Sequence, residues 1–82
     1  MMRPRGPDGR KNIIGGRLRA LRKVRRLTQQ EVAVALQLMG VDVDRRTIAR
    51  MEAGRRYVTD IELTAIATAF RVSCDALLDG KA

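Results

Sequence analysis

Twice this chain writes Thr-x-x-Glu immediately ahead of an apolar run, at Thr28-Gln29-Gln30-Glu31 and at Thr59-Asp60-Ile61-Glu62. In such a box the threonine hydroxyl accepts from the glutamate backbone N–H, while the glutamate carboxylate accepts from the threonine N–H. Two donors that a helix start leaves open are thereby satisfied. Both halves of the chain are committed to helices by these boxes, and the residues behind them agree. After Thr28 come Val32, Ala33, Leu36 and Met39, read as the inward side of a helix that Gly40 ends with a positive φ. After Thr59 come Ile61, Leu63, Ile66, Ala67 and Phe70, the apolar content of another helix.

The rest of the chain fits the same alphabet. A stripe at Ile14, Leu18, Leu21 and, less cleanly, Val24 predicts a first helix over residues 13–25, with a first turn softened by Gly15 and Gly16. Asp44 is a good N-cap for a helix over residues 45–53 that turns Ile48 and Met51 inward and stops at Gly54. Ser73 caps a short last helix carrying Leu77 and Leu78. Between the second and third helices, Val41-Asp42-Val43-Asp44 reads as an extended link whose two valines enter the core. Tyr57 and Phe70 are the only aromatic residues, so the core consists of Leu, Ile, Val, Met and Ala. The expectation is one all-α domain of five helices over residues 13–82, preceded by a flexible basic arm at 1–12 that is rich in Pro and Gly.

Charge narrows the function. The net charge is +8, and it is unevenly spread. Ten basic residues against Asp8 alone lie in residues 1–26, whereas residues 57–82 hold Arg71 and Lys81 against four acids. A polarised molecule of this kind suits a polyanion on one face. Most of the positive side chains are Arg, the residue for bidentate contacts to phosphate or guanine. Two helices in tandem, joined by a tight link, are the frame in which one crosses a DNA backbone and presents the next to the major groove. On that next helix Arg45, Arg46 and Arg50 are exposed and Thr47 stands at the edge, a set matched to base edges and to guanine in particular.

The runs Leu27-Thr-Gln-Gln-Glu-Val-Ala33, Thr47-Ile-Ala-Arg-Met-Glu-Ala-Gly54 and Val72-Ser-Cys-Asp-Ala-Leu-Leu78 resemble the Cro/C1-type (XRE) helix-turn-helix family, lambda-repressor-like in fold, over residues 13–79. The resemblance implies a sequence-specific transcriptional regulator, a repressor in the commonest case, that binds double-stranded DNA as a homodimer. It implies base reading by Arg45, Arg46, Thr47 and Arg50. Phosphate holding falls to Thr28 and Gln29 at the start of the second helix and to Gly54, Arg55 and Arg56 in the loop after the third. Arg22 and Glu52 match a partly buried ion pair, the breaking of which would cost several kcal/mol. Two departures stand out. The stretch from Leu36 to Ile48 is about five residues longer than the common pattern of a fold whose recognition helix enters the major groove, and Ala53 replaces a residue that is often polar.

Other classes find little support. With no His and a single cysteine, Cys74, neither His-based catalysis nor a Cys/His metal site is available. Asp42 and Asp44 are better read as a turn residue and an N-cap than as metal ligands. No nucleophile–base pair or phosphate-cradling glycine loop is present, so neither an enzyme nor a cofactor is expected. The lone cysteine and the lack of a long apolar run fit a cytoplasmic protein with no membrane partner. Cys74 itself reads as a small, partly buried hydrophobe. The alternative is an antitoxin or bridging adapter on the same fold, meeting a protein partner through the helices at 59–70 and 73–78.

Overall fold

The structure, a computed structural model, describes residue 6 and residues 8–79. Half of the arm expected at residues 1–12, Arg3 and Arg5 included, lies outside the described residues. Five helices follow in order: α1 (Gly15–Val24), α2 (Gln29–Leu38), α3 (Arg45–Glu52), α4 (Asp60–Phe70) and α5 (Cys74–Asp79). Among the described residues no strand occurs, and none of their helices is long and apolar enough to cross a membrane. α3 packs chiefly on α2 and then on α1, α2 also packs on α4, and α4 on α5. Leu18, Leu36, Ile48, Met51, Ile66 and Leu77 are sealed from solvent at the centre, with Phe70 as the one buried aromatic ring.

Both capping boxes form completely. Thr28 Oγ1 accepts from Glu31 N at 3.0 Å while Thr28 N donates to the Glu31 carboxylate at 2.9 Å, and Thr59 and Glu62 repeat the pattern at 3.1 and 3.0 Å. Asp44 accepts from the backbone N–H and the hydroxyl of Thr47, both at 2.8 Å. Those two bonds hold its carboxyl below the ordinary Asp range. Ser73 Oγ accepts from Ala76 N at 3.1 Å, and Arg17 donates to the Leu77 and Leu78 carbonyls, closing the six-residue α5 at both ends.

The first four helices end in one way. A residue in the left-handed region sends its N–H back to the carbonyl three positions earlier, and the next N–H reaches the carbonyl five positions earlier. Gly40 (φ 84°) and Gly54 (φ 72°) fill that place after α2 and α3, but Arg26 (φ 56°) and Arg71 (φ 55°) fill it after α1 and α4. The next residue is Leu27, Val41 or Val72 in three cases, each packed on the core. After α3 it is Arg55, which is exposed.

Three apolar residues of the expected helices lie on the surface. Met39, expected inward, is 43% exposed: α2 ends at Leu38, and Met39 is its C-cap residue rather than part of its packed face. Val24, the weakest member of the first stripe, and Ile61 are exposed as well. The long link between α2 and α3 is tied at its middle: Gln37 Nε2 donates to the Val43 carbonyl at 2.7 Å, and Val43 is buried while Val41 is half-buried.

The order begins ahead of residue 13. Asn12 Nδ2 donates to the Met51 carbonyl at 3.0 Å and to the Arg56 carbonyl at 2.8 Å, and its Oδ1 accepts from Gly15 N at 2.8 Å. Lys11 N donates to the Gly54 carbonyl at 2.9 Å. Residues 10–12, read from the sequence as part of the arm, are therefore fastened to the C-terminal end of α3 and the loop after it. The signal was Asn12 itself, a good N-cap residue three positions before the first helical N–H.

Glu62 is buried, which alone pushes its carboxyl pKa up. The bidentate bond from Arg56 (2.8 and 2.9 Å) and the backbone N–H of Thr59 outweigh that and leave it below the ordinary 4.5. A lowered folded-state pKa contributes stability above the unfolded value and loses it as pH falls through the folded one. Urea midpoints should accordingly be flat from neutral pH down to about 4.5 and drop below it, and Glu62→Gln should shallow that drop.

Gly15 and Gly16 offer a sharper contrast. A Cβ on Gly15 would overlap the Met51 and Glu52 carbonyls, whereas one on Gly16 meets nothing within 4 Å. Gly15→Ala should destabilise by about 1–3 kcal/mol through overpacking. Gly16→Ala should stabilise by roughly 0.5–1 kcal/mol through helix propensity. Thermal unfolding of the two variants measures both.

Candidate nucleic-acid interface

α3 has two sides with different jobs. Ile48 and Met51 are fully buried and Glu52 is nearly so, which turns the opposite side to solvent. At about 100° per residue, Arg46 and Arg50 lie roughly 40° apart on that outer side, with Ala49 and Ala53 beside them and Arg45 at its margin in the first turn. All three arginines are exposed. The two alanines keep the middle of the face low, so the helix backbone can approach a surface closely while the guanidinium groups reach past it.

Thr47 is placed differently. It is half-buried, and its hydroxyl donates to Asp44, so this side chain locks the start of α3. It stands at the edge of the arginine face.

α3 is set on the body by Glu52. Arg22 Nε meets Glu52 Oε2 at 2.7 Å and Arg22 Nη2 meets Oε1 at 3.0 Å, a bidentate pair with 13% and 4% of the two side chains exposed. Arg22 Nη1 also donates to the Leu27 carbonyl at 3.0 Å. Gln29 Nε2 donates to Glu52 Oε1 at 3.2 Å, so the first residue of α2 is tied to the last of α3.

Around this pair lies a pit of about 230 Å³ lined by Arg19, Arg22, Gln29, Ala49, Glu52 and Ala53. Arg19, which the sequence reading did not single out, lines this pit. Its spacing of three from Arg22, which puts both on one helix face, was the usable signal.

The remaining candidates divide. Thr28 is exposed, its hydroxyl oxygen accepting from Glu31 N. Gly54 is buried under the Arg10 side chain, its N–H given to Met51 and its carbonyl taken by Lys11. It shapes the loop and presents no backbone donor. Arg55 is exposed, and its N–H closes α3 by donating to the Arg50 carbonyl at 2.9 Å. Arg56 is half-buried and occupied by Glu62 and the Tyr57 carbonyl, so it braces α4 against the loop.

Against this geometry, the family described as a helix-turn-helix domain matches residues 13–79. Among solved structures, the chain is similar to the P22 c2 repressor, crystallised with the synthetic operator 9T in the presence of Tl+. The two share 26% identity at a TM-score of 0.72, over 85% of this chain and 98% of that one. It is also similar to the restriction-modification controller protein C.AhdI from Aeromonas hydrophila, with 30% identity and a TM-score of 0.69, over 78% of this chain and 89% of that one. Comparison with curated protein sequences gives no match. Five helices in the lambda-repressor-like order, α2 and α3 in tandem and a match over nearly the whole described chain lead to one assignment: this protein belongs to the helix-turn-helix domain family, in its Cro/C1-type branch.

Proposed function

We infer that the protein is a sequence-specific DNA-binding transcriptional regulator of the repressor kind, inserting α3 into the major groove. The observation that carries this reading is the outer face of α3, where Arg45, Arg46 and Arg50 surround two alanines on a helix anchored from behind by Glu52. Arg46 and Arg50 are the base readers by position, each able to bond O6 and N7 of a guanine. Arg45 reads from the first turn, and Thr47 acts by keeping that turn in place. Gln29 and Thr28 at the start of α2, with Arg55 after α3, hold the phosphates on either side of the groove.

The operator is two-fold and the protein binds it as a pair. Support comes from reach. An eight-residue α3 is about 12 Å long and spans only about three or four base pairs, too few for a useful specificity ratio in a genome. Two copies with half-sites about 34 Å apart double the reading.

Selection of bound duplexes from random DNA should return a palindromic motif containing guanine, with a complex mass of two chains per duplex. An unenriched pool would refute sequence-specific regulation. Arg50→Ala should lower discrimination at one base position by about 1–3 kcal/mol and leave the others unchanged. Arg55→Ala should weaken binding to every sequence alike and reduce the log–log salt slope by about 1. Competition binding over a panel of single-base operator variants at two salt concentrations separates the two effects.

A further inference from the structure

Beside the C-terminal end of α3 lies a cleft of about 370 Å³ lined by Lys11, Arg50, Arg55, Arg56, Tyr57 and Thr59. We propose that this cleft is a phosphate-holding site in which Lys11, supplied by the docked segment 10–12, acts with Arg55, so that the interface extends beyond the helix-turn-helix itself. The inference rests on the DNA-binding reading above.

Four cations converge on the cleft, and one of them is already satisfied, since Arg56 is bonded to Glu62. Among the described residues no carboxylate pairs with Lys11, Arg50 or Arg55. Arg10 is a different case, because Asp8 pairs with it at 2.9 Å. Exposed like charges ordinarily move apart, and a lysine on a free tail would do so at little cost. Lys11 is not on a free tail. Its N–H is bonded to the Gly54 carbonyl, and the next residue, Asn12, is fastened by three hydrogen bonds to α1, α3 and the loop. Its ammonium lies 5.7 Å from the centroid of the Tyr57 ring, which keeps it on the cleft side.

Arg55 reaches the same place by an equally fixed route. It occupies the position after the left-handed residue, where the three comparable helix ends of this chain put Leu27, Val41 and Val72 onto the core. An arginine there gives up a core contact and gains an outward charge. Two local features, unrelated in sequence, thus bring unpaired positive charge to one edge of the helix that reads DNA. With α3 in the major groove the duplex backbone passes along that edge, and a phosphate is the group the cleft fits.

The test uses the intact chain and a short mixed-sequence duplex, so no operator is required. Each neutralised phosphate contributes about 0.9 to the slope of log affinity against log salt. Lys11→Gln should therefore lower the slope by about one contact, with an unchanged thermal midpoint, and Lys11→Arg should keep the wild-type slope. Arg71→Gln, which removes the same charge at a left-handed position between α4 and α5, controls for net charge and should leave the slope as it is. A Lys11→Gln slope equal to wild type, or an equal fall in Arg71→Gln, overturns the proposal while leaving the DNA-binding reading intact. Failure of the wild-type protein to bind the duplex at low salt would instead remove the reading on which it rests.

Discussion

Glu52 carries a full negative charge at the C-terminal end of α3, where the helix dipole is already negative, and it does so while buried. Left alone, such a group would be strongly destabilising. It is tolerable because Arg22 meets it with two parallel bonds and Gln29 adds a third. Those bonds come from the end of α1 and the start of α2, so one carboxylate sets the position of α3 against both neighbours. An all-apolar contact of the same size could slide; a charge held by directional partners cannot without losing them. The orientation of the outer face of α3, and thus which side chains meet a duplex, follows from this arrangement.

A second constraint acts at the same end of the helix. The carbonyls of Met51 and Glu52 crowd Gly15, the Met51 carbonyl accepts from Asn12, and Gly54 lies beneath Arg10. The last turn of α3 is therefore gripped from behind by α1 and from the side by residues 10–12, while its first turn is closed by Asp44 and Thr47. A helix of eight residues is marginal on its own. Its rigidity here is tertiary, supplied by the elements packed around it.

Much of this was legible in the sequence because helix starts are written in short-range chemistry. Thr28 with Glu31, Thr59 with Glu62, Asp44 and Ser73 each announce an element through bonds spanning three residues, and all of them form. Helix ends were half legible. Gly40 and Gly54 signal a left-handed residue by lacking a Cβ, but Arg26 and Arg71 adopt the same conformation with no local mark, since tertiary packing of Leu27 and Val72 enforces it. The ion pair between Arg22 and Glu52 emerged only through the family likeness; their separation of thirty positions carries no pattern. Most of the remaining surprises concern charge. Arg17, Arg19, Arg22 and Arg25 look interchangeable on a helical wheel. One caps α5, one lines the pit beside Gln29, one holds Glu52 and one lies 5.5 Å over the Phe70 ring. Which does which depends on what α3, α4 and α5 bring opposite them.

The two arginines in the left-handed region carry one more implication. For a residue with a Cβ that conformation costs on the order of 1 kcal/mol relative to glycine, and Arg71 occupies it between α4 and α5. The domain is therefore not at the ceiling of what its own backbone allows. An engineer seeking a hardier version could replace this single residue by glycine and draw on slack in the scaffold without touching α3.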